Sequence, residues 1–189
     1  MRTETIVKTY KTFLELTEAE QKKAIEENRD FNLDHDWWTL SFEDFTNIGS
    51  IMGIDIENIF FSGFCSQGDG ACFTGDFQYQ KGFLEKIKNY LPSDSELLRI
   101  AEKLQLAHRK SFYRVGGRIS HNRRYLYAES INVDLDSDCD TEKNHDAFFE
   151  VLVDFGNWIY KRLENEYYYL QSDECIKQDL ISNEVEFEV

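Results

Sequence analysis

A chain of 189 residues and 22.4 kDa, 41% hydrophobic and 15% aromatic, is long enough to bury one sizeable core, and it is too rich in aromatics for an acidic disordered polymer. Its formal charge of −15 is segregated: residues 129–189 hold seventeen Asp and Glu against four Lys and Arg (net −13), residues 99–128 hold eight basic residues against Glu102 alone (net +7), and residues 1–98 contribute −9. No apolar run approaches the ~20 residues that span a bilayer, and no charged start precedes a long apolar stretch, so the expectation is a cytoplasmic protein without export or membrane insertion.

In chain order, Thr17 with Glu20 forms a capping box that predicts a helix from Glu18 to about Asn28. The Trp37-Trp38 pair follows, either as a hydrophobic lid over the core or as an aromatic anchor for a partner. Ser41 with Asp44 predicts a second helix start, with Phe45, Ile48 and Met52 on one face until Gly53 ends it. Residues 59–79 read as a hairpin: pairing Cys65 with Cys72 also pairs Phe64 with Phe73, Gly63 with Thr74 and Phe60 with Phe77 around a Gly-rich turn. After Pro92, Ser93 with Glu96 predicts a helix that buries Leu97, Ala101, Leu104 and His108 and carries Arg99, Lys103, Arg109 and Lys110 outside.

A second hairpin is expected from Phe112 to about Asp136, turning near His121 and Asn122. Arg114, Arg118 and Ser120 alternate with Tyr113, Val115 and Ile119 in its first arm, and Tyr125, Tyr127, Ile131 and Val133 share a face in its second. Phe148, Leu152, Phe155, Ile159, Leu163, Tyr167 and Leu170 then step by three or four, which predicts a long helix over about 144–170 with acidic residues on its other face. Ser172 caps a last helix through roughly Ile181. The fold expected is α+β: a small antiparallel sheet of two hairpins packed against several helices in a single domain over 1–189, with 1–30 as an N-terminal segment and helix and 129–189 as an acidic, mainly helical part.

Phe61-Ser62-Gly63-Phe64-Cys65-Ser66-Gln67-Gly68-Asp69-Gly70-Ala71-Cys72-Phe73, together with Phe155-Gly156-Asn157-Trp158-Ile159-Tyr160 and Tyr169-Leu170-Gln171-Ser172-Asp173-Glu174, resembles a family of small bacterial and phage proteins labelled "antitoxin of toxin-antitoxin stability system". The resemblance covers most of the chain after Trp37. It implies a mobile-element, conflict-type setting with a toxin nuclease as partner, and brings no catalytic residues to these positions.

The chemistry candidates are few. Ser66, Gln67, Gly68, Asp69 and Gly70 form a loop whose glycines free the backbone to present amides around Asp69, which suits either a ligand loop or a tight strand connection; it lacks the Lys and Ser/Thr of a phosphate loop. Asp134, Asp136, Asp138 and Asp140 alternate like the start of a calcium loop, but Cys139 stands where the turn needs Gly and His145 where a bidentate Glu is needed, so no metal ligands are assigned and the row reads as a solvated loop, a face for a basic partner groove, or a weak divalent-ion site. In an extended segment these carboxylates line one face about 6–7 Å apart, near the phosphate spacing of a nucleic-acid strand. His35, His108, His121 and His145 stand in separate elements, and Asp34-His35-Asp36 and His145-Asp146 have no nucleophile in a Gly-x-Ser-x-Gly context. Among Cys65, Cys72, Cys139 and Cys175 there is no CxxC pair, so zinc is not expected; Cys65 and Cys72, symmetric about the turn, read as small buried thiols, with a disulfide between them as the alternative.

The basic block from Arg99 to Arg124, with Tyr113, Tyr125 and Tyr127 interleaved, suggests nucleic-acid contact by itself, but the acidic part of the same chain is expected to repel phosphate and partly neutralise the block through internal pairs. The reading is therefore a non-enzymatic, cofactor-free acidic binding protein that inhibits a basic, nucleic-acid-acting partner, a toxin or a host defence or restriction protein, by partial nucleic-acid mimicry. Its partner-binding residues are Asp134, Asp136, Asp138, Asp140, Glu142, Asp146, Glu150, Trp37 and Trp38. The alternatives are a small-molecule or nucleotide binding protein or enzyme centred on Ser66–Ala71, and self-association between basic block and acidic tail.

Overall fold

The computed structural model describes residues 8–33, 36–121, 124–136 and 142–188. The protein is α+β, as the sequence implies. Among the described residues the strands and helices are β1 (Tyr10–Thr12), α1 (Glu18–Glu27), α2 (Thr39–Met52), β2 (Ile54–Phe61), β3 (Ala71–Phe77), α3 (Phe83–Tyr90), α4 (Ser95–Lys110), β4 (Gly117–His121), β5 (Ile131–Leu135), α5 (Glu142–Leu170), α6 (Asp173–Ser182) and β6 (Glu186–Glu188). Strands β2-β3-β4-β5 form one antiparallel sheet in that order, and β1 pairs with β6 in a second, two-stranded sheet. No helix among the described residues is long and apolar enough to cross a membrane.

The chain divides into two compact units. The smaller takes its residues from 1–37 and 165–189 and is built on Phe13, Leu16, Ala24, Ile25, Ile176 and Leu180, with Phe187 of β6 edge-on to Phe13 at 6.4 Å. Two of its helices start where local chemistry places them. The Thr17 amide donates to Glu20 Oε2 at 2.7 Å while the Glu20 amide donates to Thr17 Oγ1 at 3.4 Å, and Ser172 Oγ accepts from the Cys175 amide at 3.3 Å. These caps satisfy amides that have no partner within the helix. Arg29 ties α1 to the loop before α6, pairing with Glu26 and Asp173 and donating to the Gln171 carbonyl at 2.9 Å.

The larger unit, Trp38–Glu164, packs one face of the four-stranded sheet against helices. Ile54, Phe73, Phe77, Ile119 and Val133 point inward, and α5 meets them with Phe155 against Phe73 at 5.5 Å and Phe148 against Phe77 at 5.2 Å. Every second strand residue faces away from this core, as the period of an extended chain requires.

Several boundaries differ from expectation for local reasons. Helix α2 begins at Thr39 and has no side-chain cap; the expected Ser41–Asp44 box does not start it, and Asp44 instead accepts from the Tyr90 hydroxyl at 2.9 Å. Gly53 ends it as expected, in the left-handed conformation at φ 83°. Helix α3 was not foreseen. The cap of α4 is Asp94, not Ser93: Asp94 Oδ1 accepts from the Leu97 amide at 2.9 Å while Oδ2 accepts from the indole N–H of buried Trp158 at 3.0 Å. One carboxylate thus holds a helix start and satisfies a core donor. Asp94→Ala is expected to cost about 2–4 kcal/mol, a lost cap plus an unpaired indole N–H, against under about 0.5 kcal/mol for Ser93→Ala. Equal denaturation midpoints for the two variants would refute this assignment.

The first hairpin is slipped relative to the expected register. Phe60 pairs with Cys72, Phe61 with Ala71 and Ile54 with Phe77, and a bulge leaves Glu57 between the Ile56–Gly75 and Asn58–Thr74 pairs. Strand β2 therefore starts directly after Gly53, and Ser62 to Gly70 are the connection. Cys65 is exposed in that connection whereas Cys72 and Cys175 are buried, so Cys65 is not the core thiol expected and does not face Cys72. In the second hairpin β4 pairs Gly117 with Leu135 and His121 with Ile131, so Tyr125 and Tyr127 lie outside the strands. Ile131 and Val133 are buried as expected.

Candidate functional site

The outward face of the sheet carries a charged row set by register alone. Asp55 of β2 is paired with Asp76 of β3, Asp76 with Arg118 of β4, and Arg118 with Asp134 of β5. All four are exposed, and of the residues that alternate with them Ile54, Ile56, Gly75, Phe77, Ile119 and Val133 are buried and Gly117 and Leu135 half-buried. Arg118 bridges the strands: Nη1 donates to Asp76 Oδ2 at 3.1 Å and Nη2 to Glu57 Oε2, on the bulge, at 3.0 Å. The charges of Glu57 and then Asp76 hold the Arg118 pKa above its ordinary value. The bulge re-aims Glu57 toward this cation, a common use of such an irregularity.

Beside this row lies a recess of about 840 Å³ lined by Asp55, Asp76, Asp134 and Asp136 with Arg118, and walled by Ile54, Phe77, Tyr79 and glycines. Four carboxylates meet one guanidinium there. Arg118 is committed to Asp76 and Glu57, and among the described residues Asp55, Asp134 and Asp136 have no ion pair. Asp55 and Asp76 also stand directly opposite one another, an arrangement that disfavours the folded sheet. A row of this kind is poorly explained by stability and well suited to receiving a cation from outside.

The acidic residues expected to meet a partner are only partly gathered here. Asp134 and Asp136 line the recess. Glu142, Asp146 and Glu150 are exposed at four-residue spacing along α5 and form a separate stripe. Asp138 and Asp140 lie outside the described residues, as do His35 and Cys139. Trp37 packs on Tyr167 at 5.9 Å in the smaller unit, and Trp38 on Phe61 at 5.4 Å in the larger one. Asp55, Glu57, Asp76 and Arg118 were missed as site residues. The alternation Ile54-Asp55-Ile56-Glu57 directly after Gly53 was the signal that could have found the first two.

The Ser62–Gly70 connection is closed by its own groups. Asp69 Oδ2 accepts from the amides of Cys65 at 3.0 Å and Ser66 at 2.7 Å, and Ser62 Oγ accepts from the Gly70 amide at 3.0 Å. The Asp69 carboxylate is therefore turned inward, leaving Ser66, Gln67 and Gly68 on the surface. Phe64 stacks on Tyr160 at 5.4 Å and the Tyr160 hydroxyl donates to the Gly63 carbonyl at 3.2 Å, so the motif-bearing loop is fastened to α5.

The basic block is partly neutralised within the unit. Arg99 and Lys103 both reach Asp154, at 3.4 and 2.7 Å. His108 is 1% exposed, enclosed by Tyr79, Phe83 and Phe148, and its Nδ1 has no hydrogen-bond partner. Burial holds its pKa down at about 4. The described residues contain no group of three or more His, Cys, Asp or Glu arranged to hold a metal ion.

No curated protein and no solved structure matches the chain. A family model described as a domain of unknown function, DUF8835, matches residues 37–173, which take in the whole sheet, the recess and the motif-bearing loop. The chain belongs to this DUF8835 family.

Proposed function

We propose that this protein acts without chemistry, as an acidic binding protein of the cytoplasm that engages a basic, nucleic-acid-acting partner through the outward face of its sheet. The observation that carries the reading is the Asp55-Asp76-Arg118-Asp134 row: Arg118 is paired to Asp76 and Glu57, and Asp55, Asp134 and Asp136 around the recess have no ion pair among the described residues. A Lys or Arg side chain of the partner, of the type that otherwise holds phosphate, completes this row. The exposed Glu142, Asp146 and Glu150 stripe on α5 adds a second line of negative charge. Complementary potentials of this kind speed encounter and select the partner more than they raise affinity. The resemblance of the Phe61–Phe73 motif to proteins labelled as antitoxins supports a toxin nuclease as the partner class, and a host defence or restriction enzyme presents the same basic surface.

The test is capture from host lysate with three baits: the wild type, Asp55→Asn/Asp134→Asn/Asp136→Asn, and Glu142→Gln/Asp146→Asn/Glu150→Gln. The expected result is a nucleic-acid-acting protein retained by the wild type, lost with the recess variant, and released as salt rises from about 0.15 to 1 M, where the screening length falls from about 8 to about 3 Å. Equal capture by wild type and recess variant, or capture indifferent to salt, overturns the reading.

A further inference from the structure

Beside the acidic recess stands a basic, aromatic corner that the chain's own carboxylates leave alone. It spans the end of α4 and the turn after it and consists of Arg109, Lys110, Phe112, Tyr113 and Arg114. Arg109, Lys110 and Arg114 are exposed and, among the described residues, have no ion pair, unlike Arg99, Lys103 and Arg118 of the same block. Phe112 is 81% exposed, the most of any large hydrophobic residue described. It and Tyr113 hold φ of 55° and 61°, left-handed backbone that favours glycine. The turn is nevertheless well made: the Tyr113 amide donates to the His108 carbonyl at 2.7 Å and the Phe112 amide to that of Arg109 at 3.2 Å. A large apolar ring presented to water on strained backbone is retained against both hydration and backbone preference.

Corner and recess are neighbours. Tyr79 lines the recess and its ring lies 4.5 Å from that of Tyr113; Gly116, two residues after Arg114, also lines the recess. One face of the larger unit therefore carries three uncommitted carboxylates, Asp55, Asp134 and Asp136, next to three uncommitted cations. Such a face is complementary to itself after a half-turn, because the acidic half of each copy then meets the basic half of the other, twice. We infer that the partner of this face is a second copy of the chain, in a two-fold dimer in which Arg109, Lys110 and Arg114 of one protomer enter the recess of the other and Phe112 is covered. The two recesses supply the charge the two corners lack, and the closed symmetry stops assembly at two. The dimer also occupies the recess to which the proposed partner binds, so dissociation precedes partner binding.

The experiment is sedimentation equilibrium over a wide dilution series at about 0.15 and 1 M salt. Wild type is compared with a corner variant (Arg109→Glu/Lys110→Glu/Arg114→Glu), a recess variant (Asp55→Lys/Asp134→Lys/Asp136→Lys) and Phe112→Gly. The wild type is expected to dimerise at the lower salt and weaken at the higher. Each charge-reversed variant alone is expected to lose dimerisation by tenfold or more, and an equal mixture of the two to regain it, since both contacts of the mixed pair are again opposite in sign. Phe112→Gly, which suits the left-handed backbone, is expected to melt no lower than wild type yet to dimerise more weakly. A wild type that is monomeric throughout, a dimer strengthened by salt, charge-reversed variants that still dimerise, or a mixture that stays monomeric each overturns the inference. The corner variant keeps the recess intact, so partner capture by that monomer tests the functional proposal separately.

Discussion

Gly75→Ala is expected to remove most of the stability of the larger unit, on the order of 4 kcal/mol or more, a large share of the roughly 5–15 kcal/mol typical of a folded protein. Gly75 sits in the middle of β3 at φ 154°, opposite the bulge of β2, and a Cβ added there would stand 1.9 Å from the Asp55 carbonyl oxygen and 2.9 Å from its carbon. Both are backbone atoms, held by the pairing of Ile54 with Phe77 and Asp55 with Asp76, so the clash is relieved only by parting the two strands. Parting them also displaces Asp55 from Asp76 and Arg118, so the recess goes with the fold. Gly68→Ala is the control: its φ is 98°, but no atom lies within 4 Å of the added Cβ, and only the backbone term of about 1–3 kcal/mol applies. Denaturant midpoints decide the matter, and a Gly75→Ala loss no greater than that of Gly68→Ala would contradict the strand geometry.

The second large effect is expected on acidification. His108 has a folded pKa of about 4, set by burial, against an ordinary value of about 6.5 in the unfolded chain. Between these values the unfolded chain binds a proton that the folded protein rejects. The sign follows: stability is unaffected by this site above pH 6.5, falls as pH drops from 6.5 toward 4, and is flat again below, with a total loss of about 3 kcal/mol. The Glu20 carboxyl, held below its ordinary pKa by the Thr17 amide and hydroxyl, also lowers stability in acid, but it is common to any His108 variant and cancels in the comparison. His108→Phe is expected to flatten the window, so that its stability relative to wild type rises by about 3 kcal/mol between pH 7 and pH 4. At pH 7 it is expected to fold at least as well, because the unpaired Nδ1 is removed from an aromatic enclosure. Parallel pH profiles for the two proteins would sink this account.

These two sites differ in how they could be read from the chain. His108 was legible as a buried position, since it follows Leu97, Ala101 and Leu104 at helical spacing, but its enclosure by Tyr79 and Phe148 comes from other elements. Gly75 gave no local sign, being one glycine in the sequence Thr74-Gly75-Asp76. Its role arises from Asp55, twenty residues upstream in sequence and in contact only through the register. The same distinction separates the acidic residues: the alternation of Asp134 and Asp136 was visible, whereas their meeting with Asp55, Asp76 and Arg118 depended on the order of four strands.

Features that act within one or two helical turns were set by local residue chemistry. Thr17 with Glu20 and Ser172 with Cys175 place helix starts through contacts three residues apart, the apolar stripe from Phe148 to Leu163 makes α5, and the segregation of charge is composition alone. The register of β2 on β3 was instead set by long-range packing. The run Ile59-Phe60-Phe61, followed by Phe64, has no alternation to say which side is inward, so this stretch does not fix the register. The choice is made by the Gly75 approach to Asp55, the bulge at Glu57 and the loop that Asp69 closes. That choice, made between residues far apart in the chain, is what turns scattered aspartates into one face.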